Sequence, residues 1–210
     1  MSASHSMYLL RHGERLDYVD LLWERKLKDC AKDDPPLAPK GRVQAREAAQ
    51  RLSTLFIDRI VTSPFQRCVE TAGIVASALH KPILVEPALC EILWTFPPGY
   101  QSAEQLKQKY PIDDSYKPVW SPEKKERFDT DCFPRVAQCI PHLLNTFPNE
   151  NLLIVSHRAP IAGIFKHTVG RAYYVGLCTF SQIDKLGEKW KVVAAGDSAH
   201  LSDRTNLRAH

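Results

Sequence analysis

Three short apolar runs in this chain each stop at an imidazole or lead straight to a cation, and each is followed by a turn or a helical pattern. Met7-Tyr8-Leu9-Leu10 runs into Arg11-His12-Gly13-Glu14. Asp58-Arg59-Ile60-Val61-Thr62 runs into Ser63-Pro64-Phe65-Gln66-Arg67, and Asn151-Leu152-Leu153-Ile154-Val155 into Ser156-His157. Apolar runs this short, bounded by turn residues, read as buried strands. Strands that alternate with helical segments imply a sheet layered between helices, an α/β fold. Ligands of open α/β sheets bind beyond the carboxyl ends of the strands. If the three strands are parallel and adjacent, Arg11, His12, Arg67 and His157 collect at one edge.

The spacing of Val43, Ala45, Ala48, Ala49 and Leu52 predicts a helix over Gly41–Leu55. A second should start after Ser63, with Ser63 as N-cap, Pro64 in the first position and Gln66 closing a capping box, and run to about Leu79. Pro82-Ile83-Leu84-Val85 reads as a further strand. The stretch from Glu86 to Trp120 is irregular, with one short helix near Ser102–Tyr110. A helix is expected over Phe128–Phe147, with Pro134 and Pro141 as interruptions, and another opens after His157. Leu177–Asp184 and Lys189–Ala194 predict a hairpin around Leu186-Gly187-Glu188, followed by a polar tail from Gly196. The 210 residues suit one domain, 1–210, with residues 1–6 and about 200–210 as flexible ends.

Two arginines, two histidines and a helix N-terminus form a site for a doubly charged oxyanion, with phosphate first among them. Histidine can act as nucleophile or base, and glycine lets the backbone turn close to a ligand. A net charge of +4 is too mild to argue for nucleic acid, though it favours an anionic substrate. No run of roughly 18 apolar residues suggests a membrane span. The N-terminus lacks the basic and apolar regions of a secretion signal. The six cysteines form no Cys-x-x-Cys pair, which fits a reducing compartment, cytoplasmic or nuclear. None has an arginine six positions on, as a cysteine-nucleophile phosphatase loop requires. Asp129-Thr130-Asp131 mimics an aspartate-nucleophile motif but has no apolar strand before it, and is rejected. His5, His80, His142, His167, His200 and His210 show no paired spacing and read as surface or capping residues.

The order of these pieces resembles the histidine phosphatase superfamily, which includes cofactor-dependent phosphoglycerate mutase. The resemblance rests on Leu10 to Glu14, Pro36 to Ala45, Thr62 to Ala72, Leu89-Cys90-Glu91 and Val155-Ser156-His157, and spans nearly the whole chain. It implies a three-layer α/β/α fold of the phosphoglycerate mutase type, with a mostly parallel central sheet and an antiparallel edge strand. By the same likeness His12 takes the phosphoryl group, Arg11, Arg67 and His157 hold its oxygens, and Glu91 donates the proton. The cations are arginines, so the likeness calls for neither metal nor cofactor.

Mutases of this kind continue Arg-His-Gly-Glu with Ser and, three residues later, Asn. Here Arg15-Leu16-Asp17-Tyr18 follows. That continuation is similar to the phosphatase domains of the suppressor-of-T-cell-receptor-signalling proteins and the ecdysteroid-phosphate phosphatases, in which the residue matching Arg15 is a further phosphate ligand. The resemblance thus implies a metal-independent phosphomonoester hydrolase acting on a small molecule or phosphoprotein, with bulky aryl or steroid phosphates and phosphotyrosine as candidates. A phosphoglycerate mutase and a low-activity binding scaffold are the alternatives. Tyr18, Trp23, Trp94, Phe96 and Tyr100 lie in two loops that either roof the site or pack beside it. Ala38 stands where the family commonly has Thr, and Arg158 stands where small residues are the norm. Arg158 either enters the pocket or points away along the new helix. No nucleic-acid or membrane partner is expected, and the last strands leave an edge on which a homodimer could form.

Overall fold

Alternation along the strands sorts their side chains to two faces, because successive residues of a strand point opposite ways. The computed structural model describes residues 5–27 and 30–208. Its strands are β1 (Ser6–Arg11), β2 (Arg59–Thr62), β3 (Ile83–Val85), β4 (Leu152–Ser156), β5 (Phe180–Leu186) and β6 (Lys189–Asp197). They form one sheet in the order β3-β2-β4-β1-β5-β6. β1, β2, β3 and β4 run parallel, β5 runs antiparallel to β1, and β6 is antiparallel to β5. The hairpin therefore caps a mostly parallel sheet at one side.

The helices are α1 (Trp23–Lys26), α2 (Pro39–Leu52), α3 (Gln66–Leu79), α4 (Ala103–Lys107), α5 (Phe133–Thr146) and α6 (Arg158–Val169). Tyr8, Leu10, Ile60, Leu153 and Val155 meet α2 and α3 through Ala45, Ala48, Val69 and Ala72. Their neighbours Met7, Leu9, Val61, Leu152 and Ile154 meet α5 and α6 through Val136, Ile140, Ile161 and Phe165. Both faces of the central strands are buried, as parallel sheets require, and the three layers follow.

Several boundaries differ from the sequence pattern. β5 starts at Phe180, not Leu177, because Cys178 takes a left-handed backbone (φ 53°) that a strand cannot continue. Helix α2 begins earlier than Gly41, with Pro39 in its first turn, where a missing N–H costs nothing. Asp129–Cys132 is a 3-10 turn, and α5 passes through Pro141 without a break. Its strongly amphipathic face, with Val136, Cys139, Ile140 and Leu143 buried, holds the helix together across the lost bond. The expected capping by Ser63 does not occur. Phe65 is the N-cap of α3, and the Gln66 N–H donates instead to Asp34 Oδ1 at 2.6 Å.

Of the ends expected to be flexible, residues 1–4 and 209–210 lie outside the described residues. Ser6 begins β1, and Leu201 is buried against the core. No helix among the described residues is long and apolar enough to cross a membrane.

Candidate active site

The registers of β1, β2 and β4 decide which residues meet. Arg11 pairs with Ser156, and Thr62 with Val155. One step further, the N–H of His12 donates to Ser156 O at 3.0 Å and that of Ser63 to Val155 O at 3.1 Å. His12, Ser63 and His157 therefore leave the sheet at one level. The His12 and His157 rings lie edge to face with centroids 5.1 Å apart.

The turn after β1 is tight because two backbones touch. A Cβ on Gly13 would lie 2.5 Å from the Gly41 carbonyl oxygen, and one on Gly41 would lie 2.2 Å from that of Glu14. The N–H of Glu14 donates to Gln44 Oε1 at 2.9 Å, so α2 grips this turn by backbone and side chain alike.

His12 is 1% exposed. Its Nδ1 lies 2.8 Å from the Gly13 carbonyl oxygen. A carbonyl only accepts, so Nδ1 carries the proton and Nε2 the lone pair. Burial, then the charges of Arg67 and Arg11, push the His12 pKa well below its ordinary value and keep the ring neutral. The same causes, burial first and Arg67 next, hold His157 neutral. Its Nε2 lies 2.8 Å from Ser63 Oγ and 3.4 Å from Cys68 Sγ, and its Nδ1 is 4.0 Å from Glu91 Oε2. Burial raises the Cys68 pKa well above its usual value, so it stays a thiol.

Arg67 sits in the first turn of α3, almost fully buried, with its guanidinium 4.5 Å from the Phe65 ring centroid. Its Nη1 lies 3.4 Å from Asp33 O and 3.7 Å from Asp34 Oδ1. Arg11 Nη1 donates to the carbonyls of Val175 at 2.8 Å and Arg208 at 2.7 Å. The Nε atoms of both Arg11 and Arg67 are buried without a hydrogen-bond partner. Unpaired buried donors are uncommon and costly, and each of these leaves an N–H open to an acceptor.

Above this floor opens a cleft of about 330 Å³, lined in part by Arg15, Arg67, Glu91, Trp94, Asp129 and Arg158. Arg15 forms a two-bond pair with Asp17 and lies over the Tyr18 ring. Arg158 enters the cleft rather than pointing away. Asp129 Oδ2 holds it at 2.6 Å and the Tyr174 ring lies beneath it at 4.6 Å. Glu91 Oε1 accepts from the Ile92 N–H at 3.2 Å, leaving Oε2 toward His157.

Of the six residues singled out from the sequence, Arg15, Arg67 and Glu91 line the cleft; His157 lies against Glu91, His12 against His157, and Arg11 precedes His12 at the end of β1. The aromatics divide. Trp94 lines the cleft and is 63% exposed, Tyr100 packs edge-on to Phe65, and Trp23 is buried away from the lining. Ser63, Asp33, Asp34 and Asp129 also touch the site, a place the sequence reading gave to none of them. Each acts across a long sequence separation, which spacing does not reveal. Among the lone histidines His80 ends α3 in a left-handed cap, whereas His200 is half-buried and its Nε2 contacts the Cys178 carbonyl. His210 lies outside the described residues. Among the described residues no group of three or more His, Cys, Asp or Glu side chains is arranged to hold a metal ion.

Residues 7–198 match the family described as Histidine phosphatase superfamily (branch 1). The chain is similar to "Uncharacterized phosphatase PhoE" of Bacillus subtilis (strain 168), at 31% identity over 92% of this chain and 95% of that one. It is similar at 28% identity to "Ubiquitin-associated and SH3 domain-containing protein A" of Homo sapiens, matching 91% of this chain but 37% of that protein. Other relatives bear the name "Probable phosphoglycerate mutase GpmB". In fold it is similar to the crystal structure of ecdysone phosphate phosphatase from Bombix mori in complex with tungstate, with a TM-score of 0.74 and 22% identity over 97% of this chain and 98% of that one. With the site at the strand ends and the family match over nearly its whole length, the chain belongs to branch 1 of the histidine phosphatase superfamily and is a phosphatase of that family.

Proposed function

We propose that this chain hydrolyses phosphomonoesters through a phosphohistidine on His12. The observation that carries the reading is the Nδ1 bond to Gly13 O at 2.8 Å on a ring kept neutral by burial and two arginines. A neutral imidazole with its lone pair fixed on Nε2 is a ready nucleophile. Nε2 attacks phosphorus, the P–N bond forms, and the bond to the leaving oxygen breaks. Glu91, protonated, gives its proton to that oxygen. Water then attacks the phosphohistidine, Glu91 takes the proton back, and phosphate leaves with Nε2 again unshared. Proton transfer of this kind is worth about 10²–10⁴-fold.

Charge in such a transfer spreads over three equatorial oxygens, and fixed cations stabilise it. In this reading Arg11, Arg67, Arg15 and His157 supply that stabilisation. The unpartnered Nε atoms of Arg11 and Arg67 fit the acceptor a phosphoryl group would bring. Trp94 and Phe65 on the cleft wall favour an apolar leaving group, an aryl or steroid phosphate or a phosphotyrosine side chain. The fold neighbour from Bombix mori is an ecdysone phosphate phosphatase, which supports a steroid phosphate among these.

Rapid-quench labelling with an aryl phosphate tests the reading. The wild type and Glu91→Gln should carry an acid-labile, base-stable phosphoryl group that His12→Ala lacks, and His12→Ala should lose turnover. Full turnover in His12→Ala would overturn it. Primer-dependent isomerisation of a phosphoglycerate exceeding hydrolysis would move the assignment to a mutase.

A further inference from the structure

Glu91 sits in a segment without regular structure, between a 3-10 turn at Pro87–Leu89 and a run of bends. A loop of this kind does not by itself hold a carboxyl group to the tolerance that proton transfer needs. The backbone on both sides of Glu91 is nevertheless tied to one buried ion pair. Arg135 of α5 and Glu126 meet through two parallel bonds, Nε to Oε1 and Nη2 to Oε2, each 2.8 Å. Arg135 Nη1 donates to Ala88 O at 2.5 Å, and Nη2 donates to the carbonyl of Glu91 itself at 3.1 Å. From the other side, Glu126 Oε2 accepts from the Leu93 N–H at 3.2 Å, and the Glu126 N–H donates to Leu93 O at 3.0 Å. Trp120 lies against the guanidinium at 5.2 Å.

Stability alone is a weak reason for such a pair. Exchanging a buried ion pair for well-packed apolar residues is often neutral or stabilising. What an apolar pair cannot supply is a side-chain grip on three backbone groups, Ala88 O, Glu91 O and the Leu93 N–H, which needs a planar fork of donors on one side and a carboxylate acceptor on the other. We propose that Arg135 and Glu126 are positioning residues that set where the Glu91 carboxyl stands over the leaving oxygen. This rests on the reading of Glu91 as proton donor.

A leaving-group series separates this role from a structural one. Single-turnover rates of phosphoryl transfer to His12 are compared for p-nitrophenyl phosphate, whose phenolate departs without a proton, and for an alkyl phosphate, whose alkoxide does not. Arg135→Met should lose about 10²-fold on the alkyl ester, far less on the aryl ester, and leave KM for both nearly unchanged. Arg135→Lys, which keeps the charge and part of the donor set, should recover part of the loss. If Arg135→Met fails to fold, the double variant Arg135→Met/Glu126→Leu removes the pair without orphaning a charge and should show the same selective loss.

Glu91→Gln run in parallel tells two failures apart. Equal losses on both esters in Glu91→Gln would overturn the proton-donor reading. A selective loss in Glu91→Gln with an equal loss on both esters in the Arg135 variants would overturn the positioning role alone.

Discussion

Asp34 links the sheet edge to pH. Its Oδ1 accepts from the Gln66 N–H at 2.6 Å and lies 3.7 Å from Arg67 Nη1, and the residue is 3% exposed. Burial outweighs the attraction of Arg67 and raises its pKa from 3.8 to about 6. The folded state therefore holds this proton more tightly than the unfolded chain. Between pH 3.8 and about 6 stability falls as pH rises, and above 6 the full loss of about 3 kcal/mol is present. Asp34→Asn keeps an acceptor for Gln66 and removes the titration. The variant should unfold at higher urea than the wild type at pH 7.5 by about 1–3 kcal/mol, with the advantage gone at pH 4. An unchanged pH slope would contradict the assignment. Residues like this one mark where the sequence ceases to be legible. Ser63 occupies a good local capping position, yet its hydroxyl serves His157 while a carboxylate from a distant loop caps α3. Local rules weigh neighbours within four positions, and the partners here are 32 and 94 residues away. Arg11, His12 and His157 were legible because β1 and β4 end at them, and Arg67 because it opens the helix after β2; Arg135, in the first turn of α5, was not, because the carbonyls it holds at Ala88 and Glu91 lie 47 and 44 positions away.

Helix α2 carries the clearest conflict between propensity and packing. Gly41 lies in its first turn, where alanine ordinarily gains about 0.5–1 kcal/mol over glycine. A Cβ there would meet the Glu14 backbone at 2.2 Å for its oxygen and 2.8 Å for its nitrogen, atoms that cannot rotate away. Gly41→Ala should thus destabilise rather than stabilise, by about 2 kcal/mol or more, as read by urea unfolding. It should also weaken turnover, since the displaced turn carries His12 and Arg15. A stabilised variant would show that the turn yields freely. The central strands β1 and β4 were plain in the sequence, because four consecutive apolar residues between polar turns suit a doubly covered sheet. Helix ends were not. Pro141 reads as a break, but the buried stripe of α5 outweighs one missing backbone bond.

Across the whole molecule, the C-terminal segment is the part whose sequence says least and whose contacts reach furthest. It is polar after Gly196, yet the Arg208 carbonyl accepts from Arg11 Nη1 across 197 positions. The Leu177 N–H donates to Leu207 O at 2.6 Å, and Leu207 packs on the α2–α3 side of the core. The Arg208 guanidinium covers the Tyr18 ring at 3.9 Å, and Arg15 lies over the same ring at 4.7 Å. Such contacts escape periodicity, since one leucine and two carbonyls carry them. They tie the last described residues to Arg11 at the end of the first strand. Shortening the chain to end at Asp203 keeps the Lys40–Asp203 pair at 2.7 Å and leaves every sheet strand intact, so cooperative unfolding should persist. Arg11 would keep Val175 as its acceptor and lose the other. A bond to a charged donor is worth about 1.5–3 kcal/mol, so kcat/KM for an aryl phosphate should fall about tenfold or more. Vanadate or phosphate affinity should fall with it, because the fault lies in how the anion is held. A shortened chain with unchanged kcat/KM would mean that β1 and Val175 suffice to aim Arg11, and that the far end of the chain only covers the core.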